Sequence, residues 1–293
     1  MRKPVLPSLL IYLASLLPFW VLYRLSDILF VLLYYVFRYR RQVVADNLLR
    51  VFPEKTDKER QRIAFKFYRF LPDIMVEAIK MRTISPRAVE RRMKLINPEA
   101  VTGHLQAGRS IIGVTAHYAN WELGIHRLCL MVDEPVVIIY KPLSNKGFQN
   151  IYNAIRSRFG AVMVPMKLTL RKIAALRHQP HISMFVADQT PRRQDAYTAM
   201  DFLGTYTPVY NGVERIAKLT GYPIVFCHID RVKRGQYTCT FETLVDDPAL
   251  ASAEDEITAR YTRYTENIIR NKPELWLWSH KRWKWKPTTH ENA

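Results

Sequence analysis

"SIIGVTAHYANWELGIHRL", residues 110–128, passes from an apolar run through a short polar hinge into helix-spaced residues. Ser110 to Thr115 is too continuously apolar for a strand with one wet face, so it reads as a strand buried on both sides. Asn120 is a good helix N-cap, and Trp121 to Leu130 continue with helical character. A buried strand leading at once into a capped helix is a building unit of α/β folds. His117 then falls on the loop at the strand's C-terminal end, with Glu122 in the first helical turn.

Working outward, residues 135–140, 161–166, 181–187 and 222–230 have the same strand character, and helical candidates lie at 120–131, 146–158, 168–178 and 209–220. This alternation predicts an α/β fold, a mixed, mostly parallel sheet flanked by helices. Residues 231–244 look like the turn and return strand of a hairpin, so the sheet should not be purely parallel, and 253–272 read as a late helix. Upstream, Ile63, Phe67, Phe70 and Ile74 share one helical face, with Pro53 and Pro86 as punctuation, which predicts two amphipathic helices over the α/β body.

The first forty residues differ in kind. Pro4 to Tyr23 carries no formal charge, and after Arg24 and Asp27 a second apolar run, residues 28–37, ends in the cluster Arg38, Arg40 and Arg41. The length of the first run is about that needed to cross a bilayer, and the pattern of a cleaved signal peptide is missing. A membrane anchor followed by an interfacial helix is expected over residues 1–41, with one globular domain over 42–293. The competing reading is a buried helical hairpin. Arg2 and Lys3 precede the run and the larger arginine cluster follows it, which favours a cytoplasmic body.

Forty-four Lys and Arg against 26 Asp and Glu give a net charge of +18. Partners bearing phosphate or clustered carboxylates fit that charge: anionic lipid, an acidic carrier protein or nucleic acid. Cys129, Cys227 and Cys239 are far apart and lack metal or dithiol spacing, so they read as buried free thiols. No ligand cluster or glycine-rich nucleotide loop suggests a metal or an organic cofactor.

His117 and Glu122 are five residues apart, about 140° around a helix, and cannot share a face if both are helical. With His117 on the loop, the carboxylate can turn back to the imidazole, giving a base suited to acyl transfer onto an alcohol. Spacing alone equally allows a loop histidine beside a carboxylate that complements a helix dipole.

Several separated stretches resemble the bacterial late lipid A biosynthesis acyltransferases, a lysophospholipid acyltransferase-like family. "AHYANWELG" looks like the family's His-x4-Glu/Asp motif, and "RRQVVADNLLRVFPEKTDKERQRI" resembles its Asn-Leu…Phe-Pro-Glu segment. "YKPLSNKGFQNIYNAIRSRFGA" is similar to its arginine-bearing segment, "VADQTPRR" to its Asp-Gln turn and "PELWLWSHKRWKWKP" to its basic C-terminal ending, with Lys281 where arginine is usual. The motifs occur in the expected order along nearly the whole chain.

The resemblance implies a glycerolipid acyltransferase-like fold and a bacterial inner-membrane enzyme with its catalytic domain on the cytoplasmic face. It implies His117 as general base and Glu122 as its orienting partner. The acyl donor would be an acyl-acyl carrier protein, and the acceptor the hydroxyl of a phosphorylated glycolipid, a lipid A precursor. Arg156 and Asp188 fall on the family's arginine and aspartate, with Arg158 a competing choice, and His280 and Arg282 join them as candidate substrate-binding residues. A same-superfamily enzyme acting on an aminolipid, glycolipid or lysophospholipid is the alternative.

In the C-terminal stretch, Trp276, Trp278, Trp283 and Trp285 alternate with His280, Lys281, Arg282, Lys284 and Lys286. Aromatic and basic side chains together suit a membrane interface, and they equally suit single-stranded nucleic acid. A non-catalytic basic binding protein is therefore the rival reading, although nucleic acid is not the expected partner.

Overall fold

The computed structural model describes residues 5–193, 195 and 197–284; Arg2, Lys3, Pro4, Trp285 and Lys286 lie outside them. In chain order the helices and strands are α1 (Val5–Leu16), α2 (Phe19–Val31), α3 (Arg41–Val51), α4 (Asp57–Lys80), α5 (Pro86–Arg92), β1 (Met93–Ile96), α6 (Glu99–Gln106), β2 (Ile111–Thr115), α7 (Trp121–Cys129) and β3 (Val136–Tyr140). There follow α8 (Lys146–Arg156), β4 (Val162–Pro165), α9 (Thr169–Ala175), β5 (Ile182–Val186), β6 (Tyr197–Phe202), β7 (Thr205–Tyr210), α10 (Gly212–Thr220), β8 (Ile224–Lys233), β9 (Gln236–Val245) and α11 (Glu256–Asn271).

Seven strands form one sheet in the order β1-β9-β8-β2-β5-β3-β4. The pairs β8–β2, β2–β5, β5–β3 and β3–β4 are parallel, and β9 returns antiparallel to β8. The mixed, mostly parallel sheet flanked by helices matches the pattern in the sequence. Every residue of β2 is buried, as expected for a central strand covered on both faces. The hairpin turns at Arg234 and Gly235, where a φ of 70° at Gly235 uses the left-handed region that glycine enters without strain. The hairpin β6–β7, absent from the sequence reading, forms a separate two-stranded sheet.

Thr56 caps α4 through a capping box with Glu59, and the helix runs through Pro72 to Lys80. Its inner face packs Phe67, Tyr68 and Phe70 into the core. Its other neighbour is α2, whose Leu22, Ser26 and Phe30 are buried at helical spacing. Polar bonds join the two helices: Tyr23 donates to Glu77 at 2.8 Å and Ser26 to Asp73 at 2.6 Å. Arg234, on the hairpin turn, donates to both Asp27 and Asp73.

Glu77 is buried and connects several layers. Besides Tyr23 it accepts from Tyr237 of β9 at 2.7 Å and from the Asn120 side chain. Asn120 in turn caps α7, accepting from the Leu123 amide at 2.9 Å. Burial pushes the Glu77 carboxyl above its ordinary range, against the opposing pull of these donors.

Candidate active site

In parallel sheets, ligands gather beyond the C-terminal strand ends. β2 and β5 are adjacent and parallel, with Thr115 opposite Val186. Carrying that register two residues further brings His117 opposite Asp188, and the side chains meet. Asp188 Oδ1 lies 2.7 Å from His117 Nδ1 and also accepts from the His117 backbone amide at 3.0 Å. Its Oδ2 accepts from Trp276 Nε1 at 2.8 Å.

Burial alone would raise the Asp188 carboxyl, but the neighbouring imidazole and these hydrogen bonds outweigh it and hold the group at about 2. An ionised carboxylate can only accept, which places the hydrogen on Nδ1 and leaves the Nε2 lone pair for a substrate. The His117 side chain keeps 20% exposure, whereas that of Asp188 keeps 2%, so the imidazole is reachable and the carboxylate is not.

The loop is fixed from its other side. Leu277 donates its amide to the His117 carbonyl at 3.1 Å, and Ala119 donates to the Leu275 carbonyl at 2.9 Å. Ala119 takes a φ of 49°, a left-handed conformation costly for an L-residue and held here by its surroundings.

Glu122 is where helix geometry put it, in the first turn of α7, but its partner is not His117. It forms a buried ion pair with Arg156, accepting from Nε at 2.8 Å and also from Nη2. Tyr152 and Trp121 donate to it at 2.6 and 2.7 Å. Burial raises the Glu122 carboxyl, but Arg156 and these donors more than offset that and leave it lowered. The expected His117–Glu122 pairing is therefore corrected: the carboxylate against Nδ1 is Asp188, while Glu122 holds Arg156. Trp121 stands edge-on to the imidazole, with ring centroids 5.0 Å apart.

Removing one member of a buried pair strands the other charge, at a cost of about 3–5 kcal/mol. Glu122→Gln should accordingly lower the melting temperature in detergent, and Glu122→Gln combined with Arg156→Met should recover part of the loss. An unchanged melting temperature in the single variant would contradict the structural weight placed on this pair.

His117 and Arg156 both open onto a cleft of about 550 Å³. His117, Tyr152, Arg156 and Gln189 supply polar lining, and Ile139, Leu143, Met166 and Phe185 an apolar wall. Arg156 engages Glu122 through Nε and Nη2 and lines the cleft with the rest of its guanidinium group. Arg158, the competing choice, donates to the Met81 and Ile84 carbonyls just past α4 and does not line the cleft.

The C-terminal candidates are also corrected. Arg282 is 1% exposed; it donates to the Pro208 carbonyl at 2.9 Å and sits over the Phe202 ring, so it is an interior charge rather than a substrate contact. Burial lowers it to about 10, with Asp188 pulling the other way. His280 meets the Thr190 amide at 3.3 Å and lies outside the cleft lining, with burial lowering it to about 4. Trp276 and Trp278 are core residues at 2% and 0% exposure, which removes the proposed interfacial or base-stacking platform at those two rings.

Sequence reasoning did not find Tyr152 or the hydrogen bond from Trp276 to Asp188. The helical interval between Tyr152 and Arg156 was the one local sign that they share a face. Burial raises Cys129 and Cys239 to about 12 and Cys227 well above its ordinary value, so these thiols stay protonated at neutral pH.

A partly exposed histidine backed by a buried aspartate at strand ends, facing a half-apolar cleft, can remove a proton from a hydroxyl beside a hydrocarbon chain, as a transferase acting on lipids requires. The chain belongs to the bacterial lipid A biosynthesis acyltransferase family, whose model matches residues 6–285. Among curated relatives it is 24% identical over 278 residues to the lipid A biosynthesis lauroyltransferase of Escherichia coli (strain K12), covering 94% of this chain and 90% of that protein. It is 23% identical over 254 residues to the palmitoleoyltransferase of the same strain, covering 85% and 80%. A lipid A biosynthesis acyltransferase of Haemophilus influenzae is 21% identical over 237 residues, covering 79% and 72%.

Proposed function

We propose that this protein moves a fatty acyl chain from an acyl-acyl carrier protein to a free hydroxyl of a phosphorylated lipid A precursor at the bacterial inner membrane, with its catalytic domain on the cytoplasmic face. The observation that carries the reading is the imidazole of His117, clamped at Nδ1 by Asp188 and open to a cleft with one apolar wall. Family membership supplies the acyltransferase class, and the lauroyl and palmitoleoyl groups in the relatives' names are of a length that needs such a wall.

In this mechanism Nε2 of His117 takes the acceptor hydroxyl's proton as its oxygen attacks the thioester carbonyl carbon. Negative charge on the carbonyl oxygen is met by Arg156 Nη1, which Glu122 holds in place. Collapse breaks the carbon–sulfur bond, and the leaving thiolate takes the proton back from the imidazolium. Asp188 orients the ring and stabilises its charged form throughout. The charge of +18 favours approach of both an acidic carrier protein and a phosphorylated lipid.

The test is acyl transfer by the purified full chain, using carrier-protein donors of several chain lengths and a phosphorylated glucosamine-disaccharide acceptor, read by mass spectrometry. One added acyl chain, absent in the His117→Ala protein, is expected. Unaltered lipid A in a deletion strain, together with loss of another acylated lipid, would overturn the acceptor assignment.

A further inference from the structure

The segment Phe19–Val36 is the one stretch among the described residues long and apolar enough to cross a bilayer, at 18 residues, or about 27 Å of helix. It does not stand free of the domain. Its contacts run along α4 in the reverse direction: Phe19 lies under Lys80, Tyr23 on Glu77, Ser26 on Asp73, and Phe30 under Arg69. Arg231 and Arg234 reach Asp73 from the body side at 2.9 and 2.7 Å. α1 is pinned as well, for Lys80 donates to the carbonyls of Ser15 and Leu17 at 2.8 and 2.9 Å.

A helix docked in this way cannot cross a bilayer without drawing the charges of α4 and the hairpin turn into hydrocarbon, where ionised groups are strongly disfavoured. The opposite face of α1 and α2 is apolar and open. Leu13 on α1, Trp20, Ile28 and Val31 on α2 and Tyr35 just beyond it are 51%, 70%, 56%, 47% and 56% exposed, with Arg24 between Trp20 and Ile28 on the same side. An apolar strip of this length marks a surface that is covered in use. Arg24, Arg38, Arg40 and Arg41 are exposed at or just beyond it, which suits the headgroups of anionic lipids.

We infer that residues 7–37 lie in the plane of one leaflet of an anionic bilayer, that neither helix crosses it, and that the α/β body rests directly on the membrane surface through α4. This stands apart from the acceptor assignment. It also places the cleft close to the lipid, because Arg40, just past the apolar strip, donates to the Ser279 carbonyl at 2.9 Å, two residues from the cleft-lining Leu277. An amphiphilic acceptor can then enter from the leaflet in which the enzyme is seated.

The experiment uses the full chain with Cys129→Ser, carrying one added cysteine either in a short extension ahead of Met1 or as Lys58→Cys on α4. In a bacterial host, a membrane-impermeant maleimide is applied to spheroplasts and to inverted inner-membrane vesicles. Both cysteines should react in inverted vesicles and neither in spheroplasts. Reaction of the N-terminal cysteine in spheroplasts would show a crossing helix and overturn the inference.

A second arm measures binding to vesicles of phosphatidylglycerol and phosphatidylcholine, for which the paired change Leu13→Glu and Ile28→Glu should weaken affinity about 100-fold with the melting temperature unchanged. Unchanged vesicle binding would overturn the inference. So would wild-type self-association without lipid that the same pair of changes abolishes, because the strip would then belong to a second copy.

Discussion

His117→Ala should lower kcat/KM for acyl transfer about 10³-fold or more in a protein that still folds. General-base catalysis by a positioned side chain contributes typically about 10²–10⁴, and no neighbouring group duplicates the position. Glu122 and Asp188 are both ionised but committed to other donors, and the three thiols stay protonated. Backbone bonds to Leu275 and Leu277 hold the loop, so the variant should fold, with a lowered melting temperature because the buried Asp188 carboxylate loses its imidazole partner. The measurement is initial rate against both substrates with circular dichroism on the same preparations. Retention of most activity in a folded variant would remove His117 from the mechanism.

Asp188→Asn should cost about 10²–10⁴-fold in kcat, by analogy with the loss when an orienting aspartate becomes an amide. The amide can offer its own N–H to Nδ1, which moves the ring hydrogen to Nε2 and removes the base. The loss should fall on kcat rather than on KM for either substrate, a split that a purely structural role would not produce.

Stability supplies an independent check. A carboxyl lowered to about 2 in the folded chain, against about 3.9 unfolded, contributes stability fully above the unfolded value and loses it as pH falls through the folded one. The wild type should therefore lose that contribution between about pH 4 and pH 2, and the variant should not show this component. A variant of full activity would remove the orienting role from Asp188.

The sequence was most legible where structure is decided by neighbours along the chain. Asn120 caps α7 as its residue type suggests, the central strand β2 is as buried as its apolar run implies, and Arg234 and Gly235 make the expected turn. The pairing of His117 with Asp188 was less legible because it is decided across the sheet. His117 and Asp188 are 71 residues apart and meet through the register of β2 on β5, which no local pattern encodes. Five residues of proximity suggested Glu122 instead. The strained loop at Ala119 is zipped to residues 275–277, and His117 faces β5's end while Glu122 engages α8.

The tail misled for a related reason. Alternating tryptophans and cations look like a surface, but Trp276 and Trp278 turn into the core while Lys281 turns out. The hairpin β6–β7 escaped because its strands pair only with each other and lack the apolar continuity that revealed the central strands.

Glu77 gives the N-terminal helix a bearing on preparation and evolution of the enzyme as well as on its location. A soluble version made by cutting away residues up to Val36 would remove Tyr23 from Glu77, Ser26 from Asp73 and Asp27 from Arg234, opening a polar interior to water one bond from the cap of α7. Such a trimmed protein should be harder to express folded than the full chain in detergent. The same linkage restricts domain exchange: an N-terminal segment borrowed from a relative can serve only if it brings partners for Glu77 and Asp73, so hydrophobicity alone is not enough to make it interchangeable.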